Sequence, residues 1–131
     1  MTGGPIPDDV AELLLNRIES IGHLEALLLL RRSPNVEWTS VALTQRLYIA
    51  EADAAALLAR LATDGFLLTG GAKPVIYQYR AHSGELAGLV DRIAELYKTH
   101  LIPITNLIHN KPRMRIQRFA DAFKLKKKDS S

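Results

Sequence analysis

Two helical hydrophobic patterns, separated by a short break, lie between residues 39 and 66. The first sets its apolar residues into a polar run at Val41, Leu43 and Leu47, with Ile49 shortly after. The second repeats at steps of three, one and three, which forms one helical face from Ala54, Leu57, Leu58 and Leu61. Gly65 predicts the end of the second helix, and an extended run begins at Phe66. The pattern therefore predicts two short helices followed by a strand.

Residues 66–80 have the pattern of a two-stranded hairpin. Strands are predicted over 66–69 and 75–80, with Tyr77 and Tyr79 on one face of the second. The residues between them, Gly-Gly-Ala-Lys-Pro at 70–74, are typical of a turn. Two helices joined by a turn and followed by such a hairpin form a winged helix-turn-helix. The predicted fold class is therefore mainly α with a small β-wing.

Two further helices are predicted before this unit. Asp8 or Asp9 caps the first, which runs to about Ser20 and carries an apolar stripe at Val10, Leu13, Leu14 and Ile18. The second, over residues 23–32, is apolar on most sides, which predicts a central place in the core. Residues 36–38 are compatible with an edge strand beside the wing. Thr39 or Ser40 is a natural N-cap for the next helix.

A long amphipathic helix is predicted after the wing, capped by Ser83 and running from about Glu85 to Asn110. Pro103 predicts a kink between residues 99 and 103, because proline removes a backbone hydrogen bond. The apolar stripe has two readings: it packs on the first helix of the same chain, or it forms a two-fold homodimer. We favour the homodimer. Its predicted interface is Leu86, Val90, Ile93, Tyr97, Leu101, Ile104 and Ile108.

These elements divide the chain into four parts. Residues 1–7 are predicted to be a flexible leader, and residues 8–82 the N-terminal helix with the winged-helix domain. Residues 83–110 form the dimerisation helix. Residues 111–131 form a basic amphipathic tail.

The central stretch resembles the winged-helix domains of bacterial transcription regulators of the MarR, ArsR and PadR groups. The resemblance covers about residues 21–81. The residues that carry it are Ala42, Leu43, Leu47, Ile49, Ala54, Leu58, Leu61 and the run Asp-Gly-Phe-Leu at 64–67. It implies a DNA-binding regulator of transcription that acts as a homodimer.

Composition argues against an enzyme and against a metal site. The chain has no cysteine, and none of its four histidines lies three or four residues from another. It has no phosphate-binding glycine loop and no nucleophile motif. No cofactor is expected. The first ten residues lack the features of a signal peptide, and the longest apolar run, residues 26–30, is too short to span a bilayer. A cytoplasmic protein is expected.

The charge is unevenly distributed. Residues 111–131 hold eight Lys or Arg and two Asp, a net charge of +6, whereas the first 110 residues carry a net −3. This asymmetry predicts an arm that binds an acidic partner. Contact with nucleic acid and a disordered, solubilising end both remain open for this tail. Its amphipathic pattern also permits a membrane surface, but the apolar face is short, so no membrane partner is expected.

Double-stranded DNA is the predicted partner. The contacts are expected from Gln45, Arg46, Arg60, Lys73, Arg113, Arg115 and Arg118. The second helix of the pair complicates this prediction, because its outward face holds Glu51, Asp53 and alanines before Arg60. Such a face lacks the side chains that most often read bases. The alternative is a non-enzymatic adaptor that binds a protein partner. A ligand-sensing regulator is a third class, for which no particular ligand is indicated.

Overall fold

The structure, a computed structural model, describes residues 6–111. Within them it has six α-helices and one antiparallel sheet of two strands, as predicted for a mainly α fold with a small wing. In chain order the elements are α1 (Asp8–Arg17), α2 (Ile21–Arg32), α3 (Ser40–Leu47), α4 (Glu51–Thr63), β1 (Leu67–Gly70), β2 (Ile76–Tyr79), α5 (Gly84–Thr99) and α6 (Leu101–His109). No helix in this part of the chain has the length and apolar content needed to cross a membrane.

The helix starts follow capping chemistry, with one correction. Thr39 accepts a hydrogen bond from the Ala42 amide and Ser83 from the Leu86 amide, as predicted for two of the caps. Neither Asp8 nor Asp9 caps α1. The N-cap is Pro7, and both aspartates lie in the first turn, where the helix dipole favours negative charge. The Ser20 side chain caps α2, so that helix begins at Ile21, two residues earlier than predicted.

A glycine ends α4 and turns the chain into the wing. The Phe66 amide donates to the Leu61 carbonyl at 3.0 Å, and the Gly65 amide donates to the Ala62 carbonyl at 3.1 Å. These two bonds form a Schellman motif, which needs a left-handed residue after the helix. Gly65 meets that need with φ of 91°. Phe66 is then fully buried, so the motif fixes both the end of the helix and an anchor in the core.

Gly65→Ala is expected to lower the free energy of unfolding by about 2 kcal/mol, since a left-handed alanine alone costs roughly 1–2 kcal/mol. The new Cβ would also lie 3.2 Å from the His82 Cβ. Urea unfolding measures the change. Gly84→Ala is the matched control, because a Cβ there meets no atom within 4 Å. Equal stability of the two variants would contradict the role given to Gly65.

The wing is the hairpin β1–β2, paired from Leu67–Tyr79 to Gly70–Ile76. The predicted edge strand is present as a single bridge. Trp38 and Tyr77 exchange two backbone hydrogen bonds of 2.7 and 2.8 Å. This bridge ties the segment before α3 to the second strand of the wing. The helix-turn-helix and the wing therefore have a fixed connection to each other.

The long C-terminal helix of the prediction is two helices. The chain breaks at His100, between α5 and α6, inside the region predicted to kink. Pro103 is the third residue of α6. An amide at that position has no partner within its own helix, so proline is tolerated there. The predicted single helix is thus corrected to a helical pair with the break three residues before the proline.

The helical pair packs on the N-terminal half of its own chain. Both α5 and α6 contact α1, and α6 also contacts α2. Five members of the predicted dimer interface are buried in this single-chain core: Leu86, Val90, Ile93, Ile104 and Ile108. Fully covered side chains cannot also cover a second chain. The interface prediction is therefore revised to the residues of this stripe that keep exposed surface.

Candidate nucleic-acid interface

The helix-turn-helix consists of α3, a three-residue turn and α4. Tyr48 makes the turn in the left-handed region, with φ of 57°, and the residue is 91% exposed. The inward faces of the two helices bury Leu43, Ala54, Leu58 and Leu61. Val41 was counted with the apolar pattern of α3, yet it is 50% exposed. Tyr48 and Val41 thus add exposed apolar surface that the sequence pattern did not reveal.

The outward face of α4 is small and acidic, as the sequence predicted. Its exposed residues before Arg60 are Glu51, Ala52, Asp53, Ala55, Ala56 and Ala59. The Ser40 hydroxyl lies 3.5 Å from a Glu51 carboxylate oxygen, which joins the starts of α3 and α4. Alanine can contact a thymine methyl group, and a carboxylate can accept from a cytosine amino group. The carboxylates also repel phosphates, so this face needs positive charge from neighbouring elements.

Arg60 is engaged in ion pairs within the chain. Its guanidinium makes ion pairs of 2.7 Å with Glu19 and 2.9 Å with Asp64. These hydrogen bonds raise the pKa of Arg60, and the contact with Arg60 lowers the pKa of Glu19. Arg60 also lies nine residues after Glu51, about 13 Å along the helix from the end that would enter a groove. In the structure Arg60 ties α4 to the α1–α2 corner, and its contact with DNA stays a prediction.

Arg46 and Gln45 lie on the exposed side of α3. The Arg46 guanidinium carbon is 5.6 Å from the centroid of the Trp38 ring, a cation–π contact. Because Trp38 also bridges to Tyr77 in β2, this contact holds the charge of Arg46 beside the second strand of the wing. Arg46 is thus the positively charged group that links the helix pair to the wing.

Lys73 lies in the turn between β1 and β2 and is exposed. Gly71 gives this turn its left-handed step, with φ of 72°. The turn therefore presents an ammonium group at the far end of the hairpin. The remaining predicted contacts, Arg113, Arg115 and Arg118, lie outside the described residues.

The described chain does not assemble a metal centre. No group of three His, Asp or Glu side chains in residues 6–111 is arranged to hold an ion. A lone histidine near a helix start gives no sequence signal, and the sequence therefore predicts no role for His23. It is fully buried, its Nδ1 accepts from the Glu19 amide at 2.9 Å, and burial lowers its pKa to about 4. A neutral, structural imidazole fits these contacts.

Comparison with solved structures places this geometry among known folds. The chain is similar to reduced HlyU from Vibrio cholerae, with 25% identity and a TM-score of 0.50 over 70% of this chain and 90% of that one. It is also similar to the transcriptional regulator Tm0710 from Thermotoga maritima, with 13% identity and a TM-score of 0.51. That alignment covers 93% of this chain and 85% of that one.

A mutant of MarR from E. coli has 16% identity and a TM-score of 0.51, again over 93% of this chain and 85% of that one. No protein-family model and no curated protein sequence matches the chain. The structural neighbours are winged-helix transcription regulators. The chain therefore has a winged helix-turn-helix fold of the MarR-like type.

Proposed function

We propose that the chain is a DNA-binding transcription regulator that works as a homodimer. The observation that carries this proposal is the joint exposure of three elements of one winged helix-turn-helix: the start of α4, Arg46 and the Lys73 turn. In this motif the second helix enters the major groove while neighbouring elements grip the backbone. The arrangement supplies one cation from α3 and one from the wing to offset the acidic α4 start.

The charges of the side chains decide which residues contact phosphates and which contact bases. Arg46 and Lys73 contact phosphates, which offsets the repulsion that Glu51 and Asp53 cause. Ala52, Ala55 and Ala56 make close apolar contacts with base edges, since their small side chains let the helix lie deep in the groove. The basic residues of 111–131 add grip that is independent of base sequence. Binding strength is thus mostly electrostatic, and base reading is mostly apolar.

Salt dependence tests this function. The affinity of the full chain for a duplex of unrelated sequence is expected to fall with a log–log slope of about −5 or steeper, roughly a thousandfold between about 50 and 200 mM salt. Lys73→Gln is expected to weaken binding about threefold and to reduce the slope by about one. Fluorescence anisotropy of a labelled duplex measures both quantities.

Two comparison variants sharpen the result. Lys98→Gln removes one exposed charge that pairs with Glu95 on α5, and its affinity should match the wild type. Arg60→Gln should also leave the affinity unchanged, because its guanidinium is already paired within the chain. Affinity that is independent of salt, or absent at low salt, would refute the function.

The homodimer is proposed to use the start of α6. Leu101 is 47% exposed and Ile102 is 67% exposed, and the two lie side by side where the helix begins. Tyr97, one turn earlier on α5, donates from its hydroxyl to Glu25 at 2.8 Å and leaves part of its ring accessible. Two such faces related by a two-fold axis would cover each other.

Ile102→Asp is expected to weaken dimerisation at least tenfold, because it places a charge in an apolar seam. Sedimentation velocity at several protein concentrations measures the change. Val36→Asp, at another exposed apolar side chain, is the control and should leave the dimer intact. A wild-type chain that sediments as a monomer at every concentration would exclude the homodimer.

A protein adaptor is the second candidate function, favoured by the uncharged alanines of α4 together with exposed Tyr48 and Val41. An adaptor surface of this kind would bind largely through apolar contact, so its affinity for its partner would not fall with salt. The anisotropy measurement above separates the two candidates, because an adaptor gives no salt-dependent DNA affinity through Arg46 and Lys73.

A further inference from the structure

A groove of about 530 Å3 lies between α1, the end of α4 and the start of α5. Leu13 and Leu89 are among its apolar lining residues, while Glu12 and Glu85 contribute carboxylates. Arg17 also lines it and donates to the Asp64 carbonyl at 3.1 Å. The groove therefore combines an apolar lining with acidic side chains.

The negative charge of the groove is only partly neutralised. Two of its carboxylates are paired within the chain, Asp9 with Arg92 and Asp64 with Arg60. Glu12 and Glu85 are exposed and make no ion pair among residues 6–111. These two lie on different helices, one on α1 and one on α5, so they face the groove from two sides. A basic segment with some apolar residues would complement this surface.

We propose that the groove holds residues 112–131 of its own chain. This segment carries seven Lys or Arg against two Asp, and it also contains Ile116, Phe119 and Phe123. The cations match Glu12 and Glu85, and the apolar side chains match Leu13 and Leu89. Charge and polarity thus agree between the groove and the segment.

The point where the described chain ends favours the same occupant. The Lys111 ammonium group donates to the Ile18 carbonyl, so the segment leaves the described fold next to Arg17, a lining residue. From there to the start of α1 is about 15 Å along that helix. The segment, residues 112–131, spans about 30 Å even as a helix and about 66 Å when extended. It is long enough to follow the whole groove without crossing the molecule.

The consequence, which rests on the proposed function, is that the groove and DNA compete for residues 112–131. The same cations that grip DNA phosphates are bound by the groove in the free chain, so DNA must displace them. Weakening the groove then strengthens DNA binding, whereas removing the segment weakens it. The first effect shows whether the groove binds the segment, because removal of the segment weakens DNA binding in either case.

Carbodiimide cross-linking of the full chain tests the contact without DNA. It joins a lysine amine to a carboxylate only where the two are in contact, and peptide mass spectrometry locates the bond. We expect links from Lys124, Lys126, Lys127 or Lys128 to Glu12 or Glu85. The Lys98–Glu95 pair, 3.3 Å apart, is the internal positive control. A mixture of normal and 15N-labelled protein distinguishes links within a chain from links between chains.

Links confined to one label and to carboxylates of the groove support the proposal. It is overturned if the Lys98–Glu95 link forms while these lysines stay unlinked, or if they link only to carboxylates outside the groove. Links that join the two labels overturn it as well, because the occupant is then a second copy.

A charge-matched pair of variants tests the competition. Neutralising the groove with Glu12→Gln and Glu85→Gln is expected to raise the affinity for an unspecific duplex about threefold to tenfold, the range that two exposed ion pairs supply. The control, Asp91→Asn with Glu95→Gln on α5, changes the net charge equally outside the groove and away from the wing, and should raise it less than about twofold. Equal effects of the two pairs would overturn the competition. A chain that does not bind DNA at all would refute the proposed function instead, while the cross-links still decide the groove.

Discussion

Removal of residues 112–131 is expected to lower the affinity for an unspecific DNA duplex by about a hundredfold at about 50 mM salt, and to reduce the salt slope by about three or more. The segment holds seven of the seventeen Lys and Arg residues of the chain. In the described part, Arg46 and Lys73 are the two exposed cations that the proposed function places on phosphates, and the start of α4 is acidic. Most of the counterion release on binding must therefore come from the segment.

Two full-length variants separate the effect of the segment's length on DNA affinity from the effect of its charge. Replacing the seven Lys and Arg of the segment by Gln should reproduce the truncation, because the effect lies in the charge. Replacing its three Arg by Lys should preserve most of the affinity, because phosphate grip of this kind needs charge more than geometry. Anisotropy with a labelled duplex follows all four proteins. Full affinity in the truncated chain would place binding in the helix pair and the wing alone.

The fold was predictable because its signals are local. The step of three and four along α4, the glycine at 65 and the serine and threonine caps each act within about one turn of helix. The structure confirms these elements, and most helix ends differ from the prediction by one to three residues. The exception is the break at His100, where the apolar stripe continues on both sides. A stripe predicts which side faces the core, but it does not require an unbroken helix.

The candidate site was less predictable, because its charges are decided over long distances. Arg60 was expected to contact DNA from its position on α4 alone. Its partner Glu19 lies 41 residues earlier and belongs to the turn between α1 and α2. No local pattern connects these two residues. The same limit applies to Arg46, whose place beside the wing depends on Trp38 and its bridge to β2.

The predicted dimer interface shows a second limit of prediction from the sequence. An apolar stripe at helical spacing predicts that a helix is covered, and it is silent on whether the cover comes from the same chain or from a partner. In the structure α1 packs against both α5 and α6, and five residues of the stripe are buried. Within the stripe and its flanks, a large apolar exposure remains at the start of α6, at Leu101 and Ile102.

Acid is expected to destabilise the fold through His23 by about 2 kcal/mol between pH 7 and pH 5, and by about 3 kcal/mol by pH 4. Burial lowers the pKa of this imidazole from 6.5 to about 4, and the nearby Arg60 charge contributes to the same shift. The unfolded chain therefore binds a proton at a higher pH than the folded chain. The contribution of His23 to stability is complete above pH 6.5 and is lost as the pH falls towards 4.

The contacts of His23 explain why protonation is costly. Its Nδ1 accepts the Glu19 amide, so a proton there would break that bond and place two donors face to face. Its Nε2 is buried without a hydrogen-bond partner in the described chain, which leaves a charged ring no acceptor there. Urea unfolding between pH 7 and pH 5 measures the slope. His23→Gln keeps an acceptor for the Glu19 amide and cannot ionise, so it should remove most of the slope.

His23 and the carboxylates lose their contributions to stability over different pH ranges. Asp9 and Glu19 have pKa values lowered by their bonds to Arg92 and Arg60, so their contributions are lost only below about pH 4.5. His82→Gln is the control, because that side chain is exposed and hydrated before and after unfolding. It should keep the wild-type slope. If His23→Gln also kept the wild-type slope, the acid sensitivity would have to come from groups other than this buried ring. The tie between the α1–α2 corner and α4 would then not depend on a neutral His23 imidazole.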